Sequence, residues 1–556
     1  MERIWLKSYP GSVPAEVDVD AFSSIVDLFE KSVAEFADRP AYVHMGTTLT
    51  YAEVDRLSRD FAAFLREDLK LPRGARVALM MPNVLQYPIA LFGALGGGYL
   101  VVNCNPLYTP RELERQLADC GAEAVLVLEN FASVLQQALP NTKVRHVITT
   151  QLGDMLGWGR GALVNFLVKY IKGLVPKWSI ANAIAFSDAL RRGASLRRPT
   201  EPIAPHDIAF LQYTGGTTGV PKGAMLTHRN IVANLQQHHA QIGPALQSGR
   251  DIVITALPLF HIYALTVSCL LAVKIGAANV LITNPRDIRG LVKELGKHRF
   301  TCFPGVNTLF KALVDDRGFA RLDFSSLRIA AVGGAPLQEA VAKKWKAITG
   351  TTLIEAYGLT ETSPVVTCNP FNISEFNGSC GIPIPSTEVA IRDDKGGDLP
   401  IGEAGELCVR GPQVMMGYWN NPEETAEIMT PDGFLRTGDI ATIDVNGFVR
   451  IVDRKKDMIN VSGLKVYPNE VEEVVSMHPG VLEAGAVGIP NAFSGEMVKV
   501  VVVKRDPSLT AADLKAHCRK YLSAYKAPRV VEFRKEPPKT ALGKILRRAL
   551  RDAPSA

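Results

Sequence analysis

The chain has 556 residues, 47% hydrophobic and 21% charged, and a net charge of +6. This is ordinary globular composition, and at ~150 residues per unit it makes room for three or four structural units. With no low-complexity tract and no fixed repeat, it excludes disordered and solenoid architectures.

The elements alternate from the start. A helix end over 61–69 precedes a buried strand, Arg76-Val77-Ala78-Leu79-Met80. Thr109-Pro110-Arg111-Glu112 is a capping box with proline at the first helical position, and it opens a helix to about Asp119. Another strand follows at Ala124-Val125-Leu126-Val127-Leu128. Over 163–175, Asn165, Lys169 and Lys172 fall on one helical stripe, nearly everything else is apolar, and Trp158 and Trp178 flank the segment. Two readings fit it: an interfacial helix lying on a bilayer, or a core helix with a solvated lysine stripe. The strand–helix alternation recurs over 208–356 and predicts a mainly parallel α/β architecture. Residues 252–273 carry no Asp, Glu, Lys or Arg, but Pro258 and His261 favour a strand, a loop and a buried helix over a membrane span.

After Gly381, short β-rich runs between Gly- and Pro-rich turns predict a small β-barrel. The charged run Asp453-Arg454-Lys455-Lys456-Asp457 reads as a linker, giving units 1–452 and 458–556 joined by a hinge over 453–457. From Asp453 onward the net charge is +7, against −1 before it, which suits a polyanionic ligand or a solvated surface equally. The eight cysteines are scattered without C-x-x-C spacing, so buried free thiols are expected rather than disulfides or zinc. No apolar signal core follows Met1, which reads as a cytoplasmic protein.

The strongest local signal is Tyr213-Thr214-Gly215-Gly216-Thr217-Thr218-Gly219-Val220-Pro221-Lys222-Gly223 between a strand and a helix start. Its glycines let backbone N–H groups approach phosphate, and its hydroxyls and lysine add donors and charge. Pro221 before Lys222 separates it from a Walker A loop. A Gly-rich surface turn is the bland alternative.

This loop resembles the signature of the adenylate-forming superfamily, which includes acyl-CoA synthetases, peptide-synthetase adenylation domains and beetle luciferases. Further matches follow in family order: Leu257-Pro258-Leu259-Phe260-His261, Gly333-Gly334-Ala335-Pro336, Tyr357-Gly358-Leu359-Thr360-Glu361, Arg436-Thr437-Gly438-Asp439, Ser462-Gly463 and Pro538-Lys539-Thr540-Ala541-Leu542-Gly543-Lys544. Within the superfamily the chain looks most similar to bacterial long-chain fatty-acid–CoA ligases, through Ile282-Thr283-Asn284-Pro285-Arg286-Asp287, Gly305-Val306-Asn307-Thr308-Leu309-Phe310 and Val466-Tyr467-Pro468-Asn469-Glu470. One departure is Val332, where relatives often carry Ser or Gly before Gly333.

The resemblance implies a large α/β adenylation domain, a small mobile α+β lid, and ATP, coenzyme A and Mg²⁺ as substrates and cofactor. It places Tyr213 to Gly219, Lys222, Gly334, Ala335, Pro336, Tyr357, Gly358, Thr360, Asp439 and Arg454 on the nucleotide. Thr214 and Glu361 would meet the metal, His261, Gly333 and Gly463 the acyl and thiol channel, and Asp453 the hinge. Lys544, with Glu361 and Thr214, would be catalytic. Each residue has a bland alternative: Tyr357 a core tyrosine, Glu361 a helix-start residue, Asp439 an Asx turn, Arg454 a solvated linker arginine, His261 a structural histidine, and Lys544 part of a basic face with Arg547, Arg548 and Arg551. The implied reaction activates a fatty acid as acyl-AMP and passes the acyl group to coenzyme A. Rivals are a medium-chain or aryl ligase, a carrier-loading adenylation enzyme, and a noncatalytic lipid- or ATP-binding homologue. No nucleic-acid partner is expected. Contact of 158–178 with the inner face of the cell membrane and a homodimer are both compatible with this reading.

Overall fold

The computed structural model describes residues 2–551 apart from 201, 215–220, 463, 492–493, 541–542 and 544. Two large sheets form the body. In the first, six parallel strands lie side by side: Ile184–Ala185, His146–Thr150, Ala124–Leu128, Arg76–Met80, Leu100–Asn103 and Ile208–Thr214. Lys222–Thr227 and Gly417–Tyr418 complete it antiparallel. In the second, the parallel run is Pro40–His44, Ala278–Leu281, Ile252–Thr255, Cys302–Gly305, Ile329–Val332 and Leu353–Gly358. Val365–Cys368 and Ile382–Pro383 add antiparallel strands at the site edge.

The strand 76–80 shows why its sequence chooses this place. Val77 and Leu79 enter the main core, while Ala78 and Met80 enter a second core on the other face. An apolar run with period-two exposure to two cores is what a doubly covered parallel strand requires. The helices start as their sequences dictate. Thr109 accepts from Glu112 N–H while the Glu112 carboxylate accepts from Thr109 N–H, and Thr50 with Glu53 does the same. Each such cap contributes ~1 kcal/mol. Residues 252–273 form the strand Ile252–Thr255 and then the buried helical segments Ala264–Leu270 and Leu271–Lys274. No described helix is long and apolar enough to cross a membrane.

The unit after Gly381 is an open antiparallel sheet, Glu388–Arg392, Gly405–Arg410, Leu435–Ile443 and Val449–Arg454, rather than the closed barrel expected. Among the described residues no pairing joins its outer strands; Trp5, fully buried, joins its apolar residues in one core. The C-terminal part has a core of its own, in which Ile459, Val466, Val471, Val500 and Leu514 pack between a five-stranded sheet and two helices.

The helix Trp158–Phe166, continued by a wider turn over Leu167–Ile171, inverts the usual pattern. Its polar stripe faces the protein: Asn165 accepts from Gly153 N–H and donates to Asp154, and Lys169 pairs with Glu129 at 2.6 Å. Its apolar residues face outward, with Trp158 96% and Tyr170 68% exposed. The core-helix reading of this segment is therefore wrong. Trp178 does not mirror Trp158, because it packs against the second core.

Candidate active site

The site lies at the carboxyl ends of the parallel strands, where doubly wound sheets place their ligands. Ile329–Val332 delivers Gly333 to Pro336, and Leu353–Gly358 delivers Tyr357. Gly334 has φ +77°, which a side chain rarely adopts, and a Cβ on Gly358 would sit 1.9 Å from the Pro364 carbonyl oxygen. Both glycines are thus demanded by the backbone. Val332 is fully buried in the main core.

Tyr357 donates its hydroxyl to Asp439 Oδ2 at 2.6 Å. Burial, and then Asp439, push that phenol well above its usual range, so it stays a donor. The strands 435–443 and 449–454 pair Asp439 with Arg454 in register, and Arg454 Nε reaches Asp439 Oδ1 at 3.1 Å. Asp439 is therefore held by two side chains, not by a turn of its own, and Arg454 is no solvated linker residue. Two residues before Tyr357, burial pushes the Glu355 carboxyl up to about 7, against one hydrogen bond from Leu337 N–H.

Thr214 and Lys222 are register partners at the two ends of the signature loop, of which 215–220 lie outside the described residues. Lys222 pairs with Glu424 and lies 5.5 Å from the Tyr418 ring centroid. Tyr418 donates to Glu361 Oε1 at 2.7 Å, and Glu361's backbone carbonyl accepts from Met415 N–H. Tyr213 points away: its ring joins the second core and its hydroxyl donates to Asp119, leaving only its backbone at the loop.

Burial lowers His261 to about 4, so it is neutral. Its Nδ1 accepts from Tyr263 N–H at 3.2 Å, which puts the ring proton on Nε2. Tyr263 is the wall against which Gly333 packs, since a Cβ there would lie 3.3 Å from its ring. Beyond that wall opens an apolar cavity lined by Tyr263, Val267, Leu271, Ala331, Ile354 and Ala356 among others. It runs along the strands, since Ile329 with Ala331 and Ile354 with Ala356 lie on one face at period two.

Residues 29–419 match the model of the AMP-binding enzyme family, and 470–544 match that of the AMP-binding enzyme C-terminal domain. The chain belongs to the AMP-binding enzyme family. A long-chain-fatty-acid–CoA ligase of Yersinia pestis is 57% identical over 99% of this chain and 98% of its own length. Among solved structures, a benzoate CoA ligase from Burkholderia xenovorans LB400 superposes with a TM-score of 0.82 at 26% identity, covering 95% of this chain and all of that one. A Mycobacterium tuberculosis fatty acyl CoA synthetase superposes at 0.71 and 28% identity, over 95% and 98% of the two chains.

Within this AMP-binding enzyme the C-terminal unit is seated on the body. Lys311 donates to the Leu482 carbonyl, and a Cβ on Gly543 would lie 2.9 Å from Thr308 Oγ1. Lys544 and Gly463 lie outside the described residues. Asp453 ends a strand, fully buried, and accepts from Asn469 N–H and from Arg547 at 2.7 Å. Arg547 also grips Glu472 in bidentate fashion, so it does not belong to a solvated basic face. Sequence reasoning missed Tyr418, Glu424, Asp119, Arg547 and the cavity. Only the cavity left a local trace, the small and apolar residues alternating along 302–304, 329–331 and 354–356.

Proposed function

We infer that this chain activates a long-chain fatty acid with ATP and transfers the acyl group to coenzyme A. The carrying observation is the apolar cavity lined by Tyr263 and Ala356, behind the strand ends that present Gly333 and Tyr357. A 57% identical ligase of the same printed activity supports it.

In the first half-reaction a carboxylate oxygen attacks the α-phosphorus of ATP and pyrophosphate leaves. In the second, the coenzyme A thiol attacks the acyl carbon of the mixed anhydride and AMP leaves. Tyr357 would stack on adenine opposite the 333–336 turn, with Gly358 and Thr360 beside it. Asp439 would accept from the ribose hydroxyls, with Arg454 fixing its carboxylate. The signature loop, from Thr214 to Lys222, would cradle the phosphates. Lys222 must then leave Glu424 for phosphate. Thr214 and Glu361 fit Mg²⁺: they are hard oxygen donors on adjoining segments, and a single carboxylate is what a metal shared with phosphates and water requires. When bound, that ion would neutralise phosphate charge. His261 Nε2–H can donate to the substrate carboxylate, which orients it.

Lys544 would bridge carboxylate and α-phosphate during attack, and Gly463 would line the thiol entry after residues 458–556 turn about Asp453. The test separates the halves. Lys544→Ala should lower acid-dependent pyrophosphate release by ~10²–10³-fold, yet still convert synthetic acyl-AMP and coenzyme A to thioester. Loss of the second half in a well-folded variant would overturn this assignment.

A second reading concerns where the acid is met. The outward face of 158–174 carries Trp158, Leu163, Phe166, Tyr170, Ile171 and Leu174, all exposed. From 155 to 187 the chain has Arg160, Lys169, Lys172 and Lys177 and no acidic residue. With Lys169 taken up by Glu129, the exposed Arg160 and Lys177 supply the cations beside this apolar face, which suits an anionic bilayer surface. Phe166→Glu with Ile171→Glu should abolish co-sedimentation with anionic vesicles; unchanged pelleting would remove the idea.

A further inference from the structure

One residue in the cavity is out of place. His238 lies on the helix His228–Ile242, lines the apolar cavity, and is 3% exposed. Neither of its ring nitrogens has a hydrogen-bond partner. Its polar neighbours on the same helix are otherwise placed. Asn234 donates to Val365 O at 2.8 Å, Gln237 to Thr387 and Gln413, and Gln241 to Cys368 O. Asn234 and Gln241 hold the helix against the strand 365–368 and Gln237 ties it to Thr387 and Gln413, while His238 is left facing the cavity. A buried polar group without a partner carries its full desolvation cost, so a fold that keeps one at a ligand surface leaves the partner to the ligand.

Resting on the reading that this cavity takes the acyl chain, we propose that His238 is a specificity residue for fatty acids bearing a hydroxyl group within the chain. Burial lowers its pKa to about 4, so the ring is neutral and offers one N–H donor and one lone pair. A hydroxyl also donates and accepts, and can satisfy either nitrogen. A saturated chain satisfies neither, and a double bond offers no comparable partner. His238 lines the same cavity as Tyr263 and Ala356, and Ile329 and Ile354 lie farther back on the strands that carry Ala331 and Ala356.

The experiment compares kcat/KM for palmitate and for its positional hydroxy isomers in the wild type, His238→Leu and His238→Gln. In the wild type one isomer, or two neighbouring ones, should be used best relative to palmitate. His238→Leu should lower that isomer's ratio to palmitate at least about tenfold, the discrimination expected where a buried polar group loses its partner. His238→Gln, which also donates and accepts, should retain part of the ratio. If no isomer's ratio shifts with His238→Leu, or if all isomers shift alike, the proposal is overturned. Ala331→Phe separates the underlying reading: it should impair palmitate far more than butyrate. If it impairs both equally, the cavity is not the acyl site and both inferences fall.

Discussion

Arg547→Met tests how the C-terminal unit is fastened beside Asp453. Arg547 reaches Asp453 Oδ1 at 2.7 Å, Glu472 at 2.8 and 2.9 Å, and Asp457 at 3.6 Å. Asp453 is fully buried, and burial raises its carboxyl against the pull of Arg547. Methionine fills much of the arginine stem but leaves both carboxylates without their cation. Removing one partner of a buried pair costs about 3–5 kcal/mol. Because the chain has more than one core, the readout must be local. Native-state hydrogen exchange of the strand Gly495–Lys504 should speed by about 10²–10³-fold, while Ala124–Leu128 in the body is unchanged. Adding Asp453→Asn and Glu472→Gln to Arg547→Met removes the stranded charges and should return most of the protection. A change under tenfold, or no recovery in the triple variant, would refute the argument that Arg547 holds these carboxylates.

Glu355 binds its proton more tightly folded, at about 7, than an ordinary glutamate does at 4.5. Its contribution to stability is therefore present at acid pH and lost as pH rises through about 7, amounting to ~3 kcal/mol. Glu355→Gln should flatten that part of the stability–pH curve and raise the melting temperature at pH 8; an unchanged curve contradicts it. Tyr418→Phe frees Glu361 from its 2.7 Å hydrogen bond and should slow pyrophosphate release about tenfold, read with the Mg²⁺ dependence, with the melt little changed. Gly358→Ala forces a Cβ onto the Pro364 carbonyl, so the backbone must move, and should cost about 3 kcal/mol or abolish folding; a neutral melt would show the strand end to be pliable.

Local physics explains what could be read in advance. The strands 76–80 and 124–128 are unbroken apolar runs, and the helix after Thr109 is announced by its own cap, so each is decided within a few residues. The motif residues Tyr357, Asp439 and Arg454 were legible as a set, and the fold brings them within hydrogen-bond reach. What escaped depends on distant partners. Tyr418 meets Glu361 across 57 positions and Arg547 meets Asp453 across 94, and no periodicity records such pairs. The helix over 158–171 left two readings open because amphipathicity gives two faces without saying which turns inward. Asp453 could be read only as the start of a charged linker because its partner Arg547 lies 94 positions away.

All eight cysteines are free and buried, and burial raises the thiol pKa of each. An alkylating reagent can reach them only when the surrounding structure opens, so each thiol is a built-in clock for its own neighbourhood. Cys518 alone belongs to the C-terminal core, while Cys269, Cys302 and Cys368 sit in the main one. Mass-resolved labelling of the unmodified protein would therefore time the opening of the C-terminal core and of the body separately, with Cys302 and Cys368, at the cavity wall, showing how far a ligand in the cavity tightens it.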